Sequence, residues 1–421
     1  MKRITAQPFV FFLPFLAIYL LIILVSHSNS LQGDEGRYVQ YARNLLNGYY
    51  SPLGEVYLWN GPGYPLVLMP ILAMGLPLMV AYLLNALFQY ISVVFIYKTL
   101  LFFVNKRLAL IFSLFWACFY IGFKEMIWLY TEPISNMVMC IFLWNTAFVL
   151  NQKEINWKGL CLSGFLLGFL ILIKVIFGYV LLVLLMLILI VFFIRRLAEM
   201  KKTLLILLIA LMVNLPYLFY TWQLTGRVFY WANSGGMTLY WASTPVEAEF
   251  GDWNDDHFTA YCGIEEGVPC NAALFAKNHQ ADYDTIYRYS GVLRDDAFKR
   301  IAIENIKHHP LKYLKNCIAN TGRLFFGMPH SYNYHRFQNL LRIPPGAIIM
   351  LMLFFSIFMT MMNTKRLPFV LYFFIAILFL YLGASIVVST YQRMLTLAVP
   401  VIIIWTAYIA ERSIRFNSKL S

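Results

Sequence analysis

Two adjacent carboxylates, Asp34 and Glu35, are the first residues of the chain whose types and spacing could do chemistry. They follow the first long apolar segment and open the sequence GDEGRYVQYARNLLNG at positions 33–48. Asp is favoured at helix N-termini, where its side chain accepts a backbone N–H. The simplest interpretation therefore makes Asp34 a helix cap. The alternative is a reactive carboxylate that accepts or orients a proton.

The residues after this pair predict a short amphipathic helix that would position it. Apolar and aromatic residues recur at helical spacing on one face, and polar residues occupy the other. Gly48 is a suitable stop. The apolar face comprises Tyr38, Tyr41, Ala42, Leu45 and Leu46. We expect the helix to lie in a membrane interface.

The composition places the chain in a membrane. Of its 421 residues 61% are hydrophobic and 13% charged, whereas soluble proteins carry about 25% charged residues. Apolar runs of bilayer-spanning length recur. The net charge of +13 is carried largely by short segments between these runs, which marks their cytoplasmic side and excludes nucleic acid as the partner.

We predict an all-α, polytopic protein with about ten transmembrane helices, interfacial helices in the first outer loop and both termini cytoplasmic. Residues 1–220 would form a transmembrane core with the outer catalytic loop 27–77. Residues 221–345 would form a small extracytoplasmic domain, and 346–421 the C-terminal transmembrane helices. The first apolar segment is interpreted as an uncleaved anchor. The predicted spans are 8–26, 78–102, 108–123, 133–150, 159–173, 177–194, 203–220, 346–362, 367–388 and 394–410.

Further charged residues fall at the predicted outer ends of the spans. Lys124 follows the third span, Glu132 opens the fourth, and Arg393 precedes the tenth. Lys174 interrupts a long apolar stretch, which indicates a hairpin whose tip lies below the outer surface. Each residue alone suits interface anchoring or capping. Together they indicate a site, because the sequence predicts all of them at the same outer level of the membrane.

Taken together, these pieces resemble the GT-C superfamily of membrane glycosyltransferases, in the branch with protein O-mannosyltransferases and lipid A aminoarabinose transferases. The resemblance runs in order over nearly the whole chain. Each piece is weakly specific alone. The pieces are the acidic pair with Arg37 and Tyr38, the block Pro62-Gly63-Tyr64-Pro65, Thr131-Glu132, Thr225-Gly226, Ser234-Gly235-Gly236, Leu239-Tyr240, His309-Pro310, Gln392-Arg393 and Pro400.

The resemblance implies a polyprenyl-phosphate-linked sugar donor, an acceptor hydroxyl on a lipid, glycan or protein at the outer face, and inversion at the anomeric carbon. It implies Asp34 as the catalytic carboxylate, with Glu35 the next candidate. A bacterial inner membrane is the expected location. The expected donor-phosphate and substrate contacts are Arg37, Tyr38, Lys124, Glu132, Lys174 and Arg393.

The chain departs from this pattern before the proline block. The aminoarabinose transferases carry Glu-Lys there, whereas this chain has Trp59-Asn60, which puts a metal or phosphate contact at that point in doubt. A leaving phosphate needs cationic or metal stabilisation. A divalent cation therefore stays open as a cofactor, although no His or Cys ligand spacing appears.

Two other functions and one covalent link are also open. A transporter or flippase of a lipid-linked substrate would want charges near mid-membrane, whereas these lie at the outer interface. A non-catalytic scaffold would leave the acidic pair unexplained. Cys262 and Cys270 of the outer loop either pair in a disulfide or stay free thiols.

Overall fold

The computed structural model describes residues 7–27, 30–195, 197–260, 270–332, 340, 343–362 and 366–417, and every regular element in these ranges is helical. A helix covers each predicted span. These helices are α1 (Pro8–Ser26), α4 (Met79–Leu100), α5 (Lys106–Ala117) with α6 (Tyr120–Lys124), α7 (Glu132–Leu150), α8 (Trp157–Ile173), α9 (Ile176–Arg195), α10 (Ala198–Thr225), α15 (Ile343–Met362), α16 (Phe369–Ile386) and α17 (Val399–Asn417).

The structure leaves the predicted count of ten membrane-spanning helices open. Seven described helices are long and apolar enough, and an eighth span results if the pair α5 and α6, continued to Ile127, counts as one. This pair is bent by 40°, so the predicted third span is interrupted between Ala117 and Tyr120. Helix α8 has 17 residues, and α17 carries Glu411 and Arg412. The protein is a multi-pass membrane protein, and the count of ten stays a prediction.

The remaining helices cover the two predicted outer loops. In the first loop lie α2 (Glu35–Leu46) and α3 (Gly63–Ala73), which pack on each other. Between α10 and α15 lie α11 (Gly235–Ala242), α12 (Ala272–Ile286), α13 (Gly291–His308) and α14 (Pro310–Phe326). The domain boundaries at 220 and 345 stay predictions.

Helix α2 forms where its amphipathic pattern predicted it. Tyr38, Tyr41 and Ala42 are buried, and the chain leaves the helix through Gly48, whose φ of +82° favours glycine. Leu46, which we placed on the apolar face, is 44% exposed. The buried face of α2 packs on α3.

Two hydrophobic clusters hold the described helices together. The larger joins the apolar helices with α2 and α3. The smaller is aromatic-rich, includes Tyr240, Trp241, Tyr283 and Phe298, and joins α11, α12 and α13. Asn233 N donates to the Leu58 carbonyl oxygen, and Leu58 N donates to Asn233 Oδ1, which links the first loop to the segment before α11. Cys262 lies outside the described residues, so its pairing with Cys270 stays a prediction.

Glycines place the loop before α3 against the end of α8. A Cβ on Gly61 would lie 2.1 Å from the Leu172 carbonyl oxygen, and one on Gly63 would lie 2.7 Å from the Ile173 nitrogen. Such approaches exclude any side chain at either position. The Pro-Gly block is therefore the point where the first outer loop rests on the helix that precedes Lys174.

Candidate active site

Asp34 occupies the N-cap position of α2, but its side chain makes no capping hydrogen bond. The prediction of a side-chain cap is therefore wrong. Instead, Asp34 Oδ2 accepts a hydrogen bond from Arg393 Nη2 at 2.6 Å, and Oδ1 lies 3.3 Å from Arg37 Nη1. Charge-assisted hydrogen bonds of this kind are stronger than bonds between neutral groups. The carboxylate thus faces two guanidinium groups rather than its own helix.

A second ion pair extends this arrangement. Lys174 Nζ donates to Glu132 Oε1 at 2.6 Å, and the same oxygen lies 3.7 Å from Arg393 Nε. Glu132 is 1% exposed, and a carboxylate so deeply buried needs cationic partners. In spatial order the charges alternate as Arg37, Asp34, Arg393, Glu132 and Lys174. The three cations outnumber the two carboxylates, so the row carries net positive charge.

Four separate parts of the chain supply this row of charges. Asp34 and Arg37 come from the start of α2, Glu132 is the first residue of α7, and Lys174 ends α8. Arg393 lies in a short 3₁₀ helix, Gln392–Leu397, that packs on α7 and α14. Residues that the sequence placed at one membrane level therefore contact one another in the fold.

Four of these five side chains, all except Glu132, border a cavity of about 210 Å³, here called the Asp34 cavity. Its polar side carries Asp34, Arg37, Tyr38, Lys174 and Arg393. Its apolar side comes from the junction of α8 and α9 and from the C-terminal part of the chain, and comprises Ile173, Val175, Ile176, Tyr381 and Met394. Such a surface suits a ligand with an anionic group next to an apolar portion.

Trp59 and Asn60, where the chain departs from the family pattern, hold Arg37 in place. Arg37 Nη1 donates to Asn60 Oδ1 at 3.2 Å, and its guanidinium lies 5.2 Å from the Trp59 ring centroid. Asn60 Nδ2 in turn donates to the Tyr38 hydroxyl at 3.3 Å. From the sequence, we interpreted these two residues as the loss of a metal or phosphate contact. The structure assigns them a contact with the site instead.

Aromatic rings also orient Arg393, which the sequence did not indicate. Its guanidinium lies 4.5 Å from the Tyr130 ring centroid and 5.4 Å from that of Tyr391. Cation–π contacts at desolvated positions are worth about 2 kcal/mol. The adjacent residues Tyr391-Gln392-Arg393 were a weak signal for this role, but nothing in the sequence pointed to Tyr130.

Glu35 faces away from its neighbour. The side chain is fully buried, and its carboxylate accepts hydrogen bonds from Gln32 N at 2.7 Å, the Tyr82 hydroxyl at 2.8 Å and Leu129 N at 2.7 Å. It does not line the Asp34 cavity. The geometry thus separates the two acids: one borders the cavity, and the other ties α2 to α4 and the loop before α7.

Lys124 is not brought to the cavity. It ends α6, beyond the bend in the third span, and is absent from the residues that line the Asp34 cavity. Among the described residues, no group of three or more His, Cys, Asp and Glu side chains could hold a metal ion. The cations that border the cavity are therefore Arg37, Lys174 and Arg393.

The local charges keep Asp34 ionised. Burial raises the cost of its negative charge, but the charges of Arg393 and Arg37 outweigh this effect and hold the pKa of the Asp34 carboxyl below its ordinary value. The side chain nevertheless stays 21% exposed. An ionised, partly accessible carboxylate can accept a proton from a group bound beside it.

Comparisons with known proteins agree with the family resemblance. Residues 61–220 match the family model described as dolichyl-phosphate-mannose-protein mannosyltransferase. The resemblance to this branch of membrane glycosyltransferases is therefore confirmed over those residues. No curated protein sequence matches the chain.

Two solved structures are similar over most of the chain, although at low identity. ArnT from Cupriavidus metallidurans, bound to undecaprenyl phosphate, is 15% identical with a TM-score of 0.38, over 97% of this chain and 78% of that one. AglB from Archaeoglobus fulgidus, an archaeal oligosaccharyltransferase in complex with an inhibitory peptide and a dolichol-phosphate, is 12% identical with a TM-score of 0.48, over 97% of this chain and 50% of that one.

Proposed function

We propose that this protein is a membrane glycosyltransferase that moves a sugar from a polyprenyl-phosphate donor to an acceptor hydroxyl on the outer face of the membrane. The observation that carries the proposal is the row of alternating charges at the Asp34 cavity. Asp34 provides the base, and cations flank it within the same cavity. The family match over residues 61–220 supports this substrate class.

The chemistry needs two charge movements, and the site has a group for each. As the acceptor oxygen attacks the anomeric carbon, its proton passes to the Asp34 carboxylate, and the bond from that carbon to the phosphate oxygen breaks. Positioned general bases contribute about 10²–10⁴-fold to such rates. Attack opposite the leaving phosphate inverts the anomeric carbon.

The leaving polyprenyl phosphate gains negative charge as that bond breaks. Arg393 and Lys174 lie on the cavity wall with Glu132 between them, and preorganised cations stabilise such a developing charge. Arg37 adds a third cation on the other side of Asp34. The apolar wall from the junction of α8 and α9 faces the same cavity and suits the first prenyl units.

Glu35 and Lys124 have different roles in this proposal. Glu35 fixes the start of α2, and so the direction of Asp34, through its three hydrogen bonds. Lys124 takes no part in donor binding. A divalent cation remains open as a further stabiliser of the phosphate.

We place the protein in a bacterial inner membrane with both termini cytoplasmic. The Asp34 cavity and residues 221–345 then lie on the outer side. The excess of Lys and Arg in the short segments between spans supports this orientation. Alkaline phosphatase fused after residue 245 should be active, and a fluorescent protein fused at the C-terminus should fold; the reverse pattern would contradict the topology.

The direct test compares cells with and without the gene by mass spectrometry of lipid-linked sugars and surface glycans. We expect loss of the gene to accumulate one polyprenyl-phosphate sugar and to remove one decoration. Re-expression of the wild-type chain should restore both, and Asp34→Ala should not. Movement of the lipid-linked sugar across proteoliposomes without any transfer product would instead indicate a flippase.

A further inference from the structure

A second cavity, here called the outer cavity, adjoins the Asp34 cavity. It measures about 250 Å³, and Arg37, Trp59 and Trp253 line both cavities. Its walls come from the first outer loop, the segment after α11 and the start of α13. The function proposed above uses none of the residues that line the outer cavity alone.

The charge of the outer cavity is opposite to that of the protein. Glu55, Asp255, Asp256 and Asp295 line it, against only two arginines. One of these, Arg294, lies 3.3 Å from Glu55. With His257 neutral, the lining carries a formal charge of −2, from four carboxylates and two guanidinium groups, whereas the whole chain carries +13. A phosphate or sulfate would be repelled here.

Two of the aromatic faces already hold cations. The Arg37 guanidinium lies over Trp59, and that of Arg294 lies 4.6 Å from the Tyr287 ring centroid. These cation–π positions are thus filled by the protein itself, so a cationic ligand would compete with built-in groups. The remaining surface favours a ligand without charge.

The lining of the cavity combines aromatic rings with hydrogen-bonding groups. Tyr57 stacks on Trp59 with 6.0 Å between centroids. The Trp253 indole N–H is buried and has no hydrogen-bond partner among the described residues. Asp256 is exposed at the rim, and each ionised carboxylate accepts several O–H bonds. Flat apolar faces beside multiple acceptors match a ring that carries several hydroxyl groups.

We propose that the outer cavity binds an uncharged sugar unit of the acceptor, so that the acceptor is a glycan or glycolipid headgroup recognised through a neutral ring. This inference rests on the proposed function and names its acceptor class. The shared wall of Arg37, Trp59 and Trp253 places the bound unit next to the cavity that contains Asp34. The volume lies just below the ~300–1,000 Å³ of sites for drug-sized ligands, which suits one ring.

The test uses the full-length protein in nanodiscs and saturation-transfer NMR. The neutral probes are the methyl glycosides of mannose, glucose, galactose and N-acetylglucosamine. Mannose 6-phosphate and a lysine-containing tetrapeptide represent anionic and cationic alternatives. We expect transfer to at least one methyl glycoside and a stronger response than to either charged probe.

Two variants locate the binding. Asp256→Ala removes an exposed carboxylate from the rim, and Tyr57→Leu removes a ring that lines only the outer cavity. Each should weaken glycoside binding by at least about fivefold, the equivalent of one net hydrogen bond. Asp284→Ala, an exposed site on α12, should leave it unchanged. The result for Tyr57→Leu counts only if this variant keeps the wild-type unfolding temperature. If it does not, Asp256→Ala alone tests the inference.

The inference is overturned if no methyl glycoside receives saturation, if only a charged probe does, or if both variants bind as the wild type does. A parallel titration with undecaprenyl phosphate, followed by a shift in unfolding temperature, separates this inference from the proposed function. A lipid shift without glycoside binding removes only the acceptor inference. If a glycoside binds but undecaprenyl phosphate does not shift the unfolding temperature, the polyprenyl-phosphate donor is contradicted and the sugar site in the outer cavity is retained.

Discussion

Arg393 Nη2 donates to Asp34 Oδ2 at 2.6 Å, although the two residues are 359 positions apart in the chain. This bond places Asp34, the residue at the N-cap position of α2, in the candidate site. It joins the first outer loop to the segment before the last helix, and it draws the carboxylate away from the backbone N–H groups of α2. The same arginine lies 3.7 Å from Glu132 Oε1, so one side chain connects Asp34 with the buried acid behind the cavity wall.

Replacing Asp34 tests the base directly. Asp34→Asn keeps the size of the side chain but cannot take a proton, so we expect the transfer rate to fall by about 10²–10⁴-fold. The measurement is release of polyprenyl phosphate from a radiolabelled donor by purified protein. Asp284→Asn is the matched control and should retain full activity. Undiminished turnover in Asp34→Asn would remove the base assignment.

The Arg393 contact predicts a change in pH dependence. Because Arg393 and Arg37 hold the pKa of Asp34 below its ordinary value, the base stays ionised as pH falls toward that value. Arg393→Gln removes the larger of these two charge effects, so the pKa should rise and the acid limb of kcat/KM should move to higher pH. A variant whose activity drops equally at every pH would show that Arg393 does not tune Asp34.

Lys174 and Glu132 allow stability and catalysis to be separated. Lys174→Met leaves the buried Glu132 carboxylate with only Arg393 nearby, which should cost about 3–5 kcal/mol if the pair behaves as a buried ion pair. The double variant Lys174→Met with Glu132→Gln removes both charges and should recover most of that stability. If Lys174 stabilises the leaving phosphate, the double variant should nevertheless transfer slowly. Full activity there would assign Lys174 a purely structural role.

Glu35 should behave as a positioning residue. Glu35→Ala leaves the Leu129 N–H and the Tyr82 hydroxyl without their acceptor, and each such buried group costs about 1–3 kcal/mol. We expect a lower unfolding temperature for Glu35→Ala. In Glu35→Gln, which keeps an acceptor oxygen, we expect a smaller loss and near-normal kcat. A large loss of kcat in Glu35→Gln at unchanged unfolding temperature would make Glu35 a second catalytic acid.

A buried network between α11 and α12 predicts acid sensitivity of the fold. The Tyr240 hydroxyl donates to Asp282 Oδ2 at 2.8 Å and lies 2.7 Å from His279 Nδ1, while His279 Nε2 lies 2.8 Å from Glu249 Oε2. As a carboxylate, Glu249 is the acceptor in its contact with the His279 ring.

Burial opposes the charge of Glu249, but the hydrogen bond and charge of His279 hold the pKa of this carboxyl below its ordinary value. The depressed pKa stabilises the folded state above the ordinary carboxyl range, and this contribution is lost as pH falls through the folded-state value. Glu249→Gln should therefore unfold at a lower temperature near neutral pH and show a smaller fall in unfolding temperature on acidification. Parallel pH curves for the two proteins would contradict this role.

The sequence by itself determined the elements of this protein. Hydropathy and helical periodicity depend on residues that are close in the chain, so they predicted a helix at each span, the amphipathic helix α2 and the short helix α3. The same local patterns located the charged residues at the ends of the spans and supported the resemblance to a glycosyltransferase family. They also placed the break between two apolar helices at Lys174, which interrupts the apolar stretch; the hairpin itself stays a prediction.

Only the tertiary structure decided which of those residues form the site. Successive residues at a helix start point about 100° apart, so Asp34 and Glu35 face different directions, and no local pattern says which one borders the cavity. The partner of Asp34 comes from the far end of the chain, and Asn60 holds Arg37 across a turn. Lys124 shared the predicted level but lies beyond a bend that hydropathy does not register. A site depends on directions and on distances between segments, which are set when the helices pack.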